Sequence, residues 1–454
     1  KSLLVITTSR TYYHFKKRYY LEGNPYHEIE MKDKIDKENK KNRHQRMFNK
    51  RNMRIQEITQ EQKQTIEKAF SLLRDTKDFC ILLNYCQGLI YSEIHVNFNE
   101  YRLRTLAHPN SINRYKTFKI RKKKGGFRTI HAPKPELKIL LRCINLILQA
   151  IYPVHENAYG FVEGKSVVDN AQLHCNQNYV FNIDLKDFFP SIEIGRILNR
   201  LSFPPFNLNK GNRREEIGNY IAWLACENIL VEREIDGKLI KTERRVLPQG
   251  SPVSPIFTNI ICERLDRRLT GLAKRFGVRY SRYADDITFS SMHNVYQKNG
   301  EFRIEMERII TEQNFSINQN KVRLQKNNVR QEVTGITVNK MTNVSQKYIK
   351  QLRMWLYYWE TYGVNKALSL FLQSYIKDKS HVKNAIPSPE FMEAVIRGKL
   401  NYLSMVKGRE NTTYLKLKDR FEKLSTQYLD IEKILNVWET EGIENAINIY
   451  EKIV

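Results

Sequence analysis

Tyr283-Ala284-Asp285-Asp286 stands between Val278-Arg279-Tyr280 and Ile287-Thr288-Phe289. Both flanks have strand composition, so the two aspartates are expected at the tip of a hairpin. Adjacent carboxylates repel, and in a confined site one resists ionising unless a cation offsets the charge. An exposed surface turn avoids that cost, so the tetrapeptide alone leaves both readings open.

Phe181-Asn-Ile-Asp184-Leu-Lys-Asp187-Phe-Phe189-Pro190 narrows the choice. Asp184 ends a strand expected over Tyr179 to Ile183, apolar except for Asn182. That is a poor place for a charge unless it meets a metal or another fixed charge. Hard divalent cations take carboxylate oxygens together with substrate phosphates. Two such ions about 3.5–4 Å apart stabilise the attacking and leaving oxygens of an in-line phosphoryl displacement. Three aspartates from two neighbouring strands suit that cradle. A third segment, Leu247-Pro-Gln249-Gly250-Ser-Pro252, forms a turn before a helix expected over Ser254 to Arg275. Gly250 lets backbone approach a substrate closely, and Gln249 offers an amide beside it. Alone, this is an ordinary loop.

Working outward, Tyr115 to Ile120 and Phe127 to His131 alternate like strands around the Lys124-Gly125-Gly126 turn, with Arg121 to Lys124 as a basic tip. A helix is expected over Leu137 to Ile151, and helical spacing over Ile58 to Ile90, with coil from Asn97 to Asn113 between them. Arg196 to Leu230 reads as mostly helical with a break at Pro204-Pro205. Val278 to Ser291 reads as strand, turn and strand, Met306 to Phe315 as helix, and Val333 to Val344 as another hairpin. The remainder is helix-rich and includes an aromatic, basic helix from Lys347 to Tyr362. Residues 32–54 hold ten Lys/Arg against three acids. They form either a solvated helix or a basic arm that orders on a polyanion.

Composition bounds the function classes. The 454 residues carry Lys+Arg 76 against Asp+Glu 49, a formal charge of +27 that attracts nucleic acid or an anionic membrane surface. A hydrophobic fraction of 41%, with Tyr 25, Phe 21 and Trp 4, excludes a disordered polyelectrolyte. No apolar run reaches the ~18 residues a membrane span needs. The best candidate, Ile139 to Val154, is interrupted by Arg142, so no membrane partner is expected. Six scattered cysteines without a C-x-x-C argue against a zinc or disulfide framework and suit a reducing cytoplasm. No signal peptide is recognisable.

Taken in order, Asp184 with its aromatic neighbours, Leu247-Pro-Gln249-Gly250 and Tyr283-Ala-Asp285-Asp286 resemble the palm of reverse transcriptases over roughly residues 115–345. Gly126-Phe-Arg128-Thr-Ile-His-Ala-Pro133 is similar to the fingers hairpin of that family. Phe315-Ser-Ile-Asn318-Gln-Asn-Lys321 resembles the segment that carries a lysine toward the nucleotide. Asn170-Ala-Gln-Leu-His174 and Val333-Thr334-Gly335 resemble signatures of bacterial retron reverse transcriptases, although Asn170 and His174 equally suit capping a helix and packing a turn.

The resemblance implies an α+β, right-hand polymerase fold with fingers, an antiparallel palm sheet and a helical thumb. The expected division is a basic, mainly helical N-terminal extension (1–112), fingers (113–178), palm (179–345) and thumb with a C-terminal duplex-binding region (346–454). It implies RNA-directed DNA synthesis with two Mg²⁺ ions, or Mn²⁺ in their place, held by Asp184, Asp285 and Asp286. Lys124, Arg128, Phe189, Gln249, Gly250 and Lys321 are the implied nucleotide-binding residues. Phe189 would fill the space a ribose 2′-hydroxyl needs, or else serve as a core aromatic. Lys124 either neutralises triphosphate or is a solvated surface charge. Asn170, His174, Val333, Thr334 and Gly335 are the implied RNA- or primer-binding set. The implied partners are deoxynucleoside triphosphates, a cognate noncoding RNA serving as template and primer, its branched RNA–DNA product (msDNA) and a separate effector in anti-phage defence. The place is a bacterial cytoplasm. A related defence enzyme making unbranched or repetitive cDNA, and an inactive polymerase-fold scaffold that binds RNA, are the alternatives.

Overall fold

A computed structural model of the chain describes residues 58–92, 94–108, 114–122, 125–209, 213–235, 238–378 and 388–447. The basic stretch 32–54 and Lys124 lie outside them. Two units are distinguished, residues 1–57 with 88–93 and residues 58–87 with 94–454. Of the first, the described part is the end of one helix. The account below concerns the second.

In chain order, helices α1 (Gln60–Ser71), α2 (Thr76–Tyr91) and α3 (Glu100–Ala107) precede a hairpin of β1 (Tyr115–Arg121) and β2 (Phe127–Pro133). Helices α4 (Pro135–Ile151) and α5 (Val167–Gln172) lead to β3 (Tyr179–Asp184). Then follow α6 (Ile194–Leu201), α7 (Glu215–Ala225) and a hairpin of β4 (Glu227–Ile235) and β5 (Lys238–Val246). Helix α8 (Ser254–Arg275), strands β6 (Arg279–Tyr283) and β7 (Asp286–Ser291), helix α9 (Glu301–Glu312) and strand β8 (Arg323–Lys326) complete the centre. A small hairpin of β9 (Glu332–Val333) and β10 (Ile336–Thr337) joins it to helices α10 (Gln346–Asp378), α11 (Pro389–Lys407) and α12 (Thr412–Glu441).

The central sheet is antiparallel, in the order β6-β7-β3-β8. Strand alternation gives it two unlike faces. Phe181 pairs with Phe289, and Phe289 with Tyr280, so these rings share one face with Ile183 and Ile287. Phe302 from α9 packs edge-on against Phe289 at 5.1 Å, and Tyr280 hydrogen-bonds Asp266 of α8. Helix α8 lies there because Ile256, Ile260, Leu265, Leu269 and Leu272 fall on one stripe and are all buried. Each such side chain contributes about 1.5–3 kcal/mol by leaving water. The opposite face carries Asn182, Thr288, Ser281, Ser290 and, at its end, Asp184 and Asp286. Asn182 donates to Thr288 at 3.0 Å and accepts from Gln325 at 2.6 Å.

The three C-terminal helices pack around Trp355, Leu356, Phe371, Met392, Ile396 and Leu400, a core continuous with Ala171 of α5 and Val180 of β3. Gly363 (φ 78°) kinks α10, a conformation glycine adopts without a Cβ penalty. Of the aromatics of this helix, Trp355 and Trp359 pack inward, whereas Tyr357 is half exposed.

Three local expectations are corrected. The coil expected over 97–113 contains α3, nucleated where Asn99 accepts the Arg102 amide and Leu103 and Ala107 are buried. The helix expected to run on to Leu230 ends at Ala225, and β4 and β5 pair over nine residues each. The Asp236-Gly237 dipeptide between them is the hairpin signal that helical periodicity upstream obscured. Helix α9 begins five residues before Met306, because Phe302 completes its buried face.

Candidate active site

The turn between β6 and β7 is short because Tyr283 already pairs with Asp286. Ala284 takes φ 56°, which lets two residues reverse the chain. In register, Asp286 lies directly opposite Asp184, and the Leu185 amide donates to the Asp285 carbonyl at 3.0 Å. Strand pairing therefore gathers the three carboxylates at one end of the polar face.

Their electrostatics follow from that crowding. Burial raises the Asp285 carboxyl above its usual range and Asp184 adds repulsion, while Lys321 and Arg128 offset part of it. Desolvation, then the charges of Asp285 and Asp184, push Asp286 up to about 6, although part of its side chain still faces solvent. Lys321 Nζ lies 2.7 Å from Asp184 Oδ2, and Asn318 Nδ2 lies 3.3 Å from Oδ1. An ammonium thus occupies the position where this carboxylate calls for a cation. Carboxylate oxygens with no thiol or imidazole fit a hard divalent ion. Among the described residues no three acidic, histidine or cysteine side chains already stand at ligand spacing. A divalent ion held by Asp184 would compete with Lys321 for its carboxylate.

Residues that sequence reasoning missed hold the turn from behind. Arg282 is completely buried on the helix-facing side of β6. Its Nε and one terminal nitrogen meet the two oxygens of Asp266 at 2.7 and 2.6 Å, a bidentate pair. Its remaining donors reach the Ala284 carbonyl at 3.2 Å and Asn259 Oδ1 at 3.1 Å. Asn259 in turn donates to the Gly160 carbonyl at 3.0 Å. The one signal available in sequence was Asp266, an acid set within the apolar stripe of α8.

Residues 120–356 match the family model described as "Reverse transcriptase (RNA-dependent DNA polymerase)". The chain belongs to that family. Among curated relatives, it is 33% identical to the retron Mx65 reverse transcriptase of Myxococcus xanthus over 309 residues, 68% of each chain. It is 35% identical to the retron Mx162 reverse transcriptase of the same organism over 255 residues, 53% of this chain and 51% of that one. Against the retron Ec86 reverse transcriptase of Escherichia coli the figures are 29% over 245 residues, 53% of this chain and 68% of the relative. The protein is a retron-type reverse transcriptase, an RNA-directed DNA polymerase, and its four-stranded antiparallel sheet is the palm of a right-hand fold. Reverse transcriptases of this fold generally use divalent metal ions. No helix among the described residues is long and apolar enough to cross a membrane.

The reverse transcriptase places the other candidate residues unevenly. Arg128 is exposed on β2 and its charge reaches Asp285. Gln249 touches the same strand, its carbonyl accepting the His131 amide at 2.8 Å. Gly250 (φ 117°) is needed for close approach, but the neighbour is protein: a Cβ there would lie 2.8 Å from the His131 carbonyl oxygen. Phe189 is half-buried beside Phe188 and Phe161.

The set expected at RNA or primer is corrected in part. Asn170, His174 and Val333 are buried, so they have no surface to offer a nucleic acid. His174 is held by Ser290 and Ser281, each hydroxyl 2.7 Å from a ring nitrogen, and burial pushes its pKa down to about 3. It packs α5 against the palm. In the β9–β10 turn Gly335 (φ 87°) is exposed, whereas Thr334 (φ 47°) is half-buried with its hydroxyl donating to the Val167 carbonyl.

Proposed function

We propose that this reverse transcriptase copies a cognate structured noncoding RNA into DNA in the bacterial cytoplasm. On this reading the RNA also supplies a 2′-hydroxyl primer, giving branched RNA–DNA. The observation that carries the chemistry is the register pairing of Asp184 with Asp286, beside Asp285. Asp184, Asp285 and Asp286 would hold two Mg²⁺ ions, with Mn²⁺ as a substitute. Such ions supply a lowered pKa at the primer hydroxyl and charge neutralisation at the leaving pyrophosphate.

The chain's own residues bind and orient the nucleotide. Lys321 leaves Asp184 for the triphosphate, and Arg128 and Lys124 neutralise its charge from the hairpin of β1 and β2. Gln249 aligns the nucleotide through its side-chain amide. Phe189 closes the space next to the sugar, favouring deoxynucleotides. The division into extension, fingers, palm and thumb at residues 113, 179 and 346 belongs to the same reading. So does a role in anti-phage defence with a separate effector protein. The net charge of +27 supports a duplex partner bound through its phosphates.

The test is to purify the protein from its native locus and sequence the bound RNA and DNA with and without debranching. Branched RNA–DNA joined at one defined RNA species is the expected result. Unbranched or repetitive cDNA would favour a related defence enzyme. Bound RNA without any DNA, and no Mg²⁺-dependent primer extension, would favour an inactive scaffold.

A further inference from the structure

Phe161 is an anomaly in the active-site wall. It is an aromatic residue at φ 61°, where a side chain meets its own backbone and glycine is the usual occupant. It is also 43% exposed, so core burial does not repay that strain. The neighbouring backbone imposes the conformation. The Tyr159 amide donates to the Arg282 carbonyl at 2.8 Å, Asn259 holds the Gly160 carbonyl, and Gly160 abuts the Ala284 amide. Phe161 is thereby tied to the turn that carries Asp285 and Asp286.

Its ring faces one specific neighbour. Phe189 contacts two rings, Phe188 (5.7 Å, 66°) and Phe161 (6.3 Å, 55°). Phe188 is buried and packs onward to Phe315. Phe161 is therefore the solvent-exposed one of these two neighbours. Without it the Phe189 ring has open space into which to rotate.

We infer that Phe161 is a positioning residue for sugar selection: it holds the Phe189 ring against the incoming nucleotide, so discrimination belongs to the pair. This rests on the reading of Phe189 given above, and the experiment separates the two. Primer extension by the full chain on an RNA template with a DNA primer and Mg²⁺ yields kcat/KM for a deoxy- and the matching ribonucleoside triphosphate. The ratio is compared across variants. Phe189→Ala should lower the ratio by roughly 10²-fold and Phe161→Ala by roughly tenfold. Phe161→Leu should fall between wild type and Phe161→Ala, and Phe161→Tyr should restore the ratio. The double variant should match Phe189→Ala alone, since the two side chains act as one unit. Phe161→Gly should lose discrimination while raising the melting temperature, because the backbone strain is relieved. A wild-type ratio in both Phe161→Ala and Phe161→Leu, with Phe189→Ala lowered, overturns the inference. A wild-type ratio in Phe189→Ala overturns the underlying reading instead.

Discussion

Gly160 lies against the Asp285-Asp286 turn so closely that a Cβ on it would sit 2.4 Å from the Ala284 amide nitrogen. The neighbour is backbone and has no rotamer by which to yield. Gly160→Ala should therefore displace the Asp285-Asp286 turn, lowering primer extension by at least ~10²-fold, the scale on which small misplacements act. Gly271→Ala is the control. It lies in the interior of α8 with nothing near its Cβ position, and should stabilise by about 1 kcal/mol without loss of activity. Extension assays and melting curves on both variants check the contrast.

Asp184→Asn and Asp285→Asn keep the shape of each side chain and remove its charge. Each should abolish Mg²⁺-dependent extension by ~10²-fold or more. Because like charges crowd Asp285, Asp285→Asn should not lower the melting temperature of the metal-free protein. Full extension by Asp285→Asn in Mg²⁺ would remove the metal-ligand assignment.

The Arg282–Asp266 pair is fully buried, so removing one partner leaves an uncompensated charge. Arg282→Met or Asp266→Ala alone should cost about 3–5 kcal/mol. The Arg282→Met/Asp266→Leu double variant should recover much of that stability, yet remain impaired in extension, because the Ala284 carbonyl still lacks its donor. Urea unfolding and extension rates read the two effects separately. Recovery of both together would mean the pair serves stability alone.

His174 makes stability depend on pH. Its folded pKa near 3 lies below the ordinary value of 6.5, so the unfolded chain binds the extra proton first. The stabilisation is complete above about pH 6.5 and is lost as pH falls toward 3. By pH 5 this group alone should cost about 2 kcal/mol. Urea midpoints at pH 7, 6 and 5 should fall more steeply for wild type than for His174→Gln, and equal slopes would refute the linkage.

The local elements that carry the chemistry were legible because they are local. A nearly continuous apolar run marked β3, strand composition marked β6 and β7, the apolar stripe marked α8, and the order of Asp184, Gln249 and Asp285 resembled the polymerase palm. Where a stronger upstream pattern competed, the reading failed: helical periodicity before Ala225 hid the β4–β5 hairpin.

Taken by itself, the sequence determined which carboxylates exist and at which strand ends they stand, since a charge ending an apolar strand needs a cation wherever the strand lies. Only the tertiary structure decided who their neighbours are. Register β3-β7 set Asp184 opposite Asp286, and long-range packing gave Asp184 to Lys321 across 137 positions of chain. The same packing buried His174, whose sequence neighbours suggested an RNA contact, and aligned Arg282 with Asp266. It also set Gly160 and Phe161 beside the Asp285-Asp286 turn. These are contacts between residues distant in the chain, and no local periodicity encodes them.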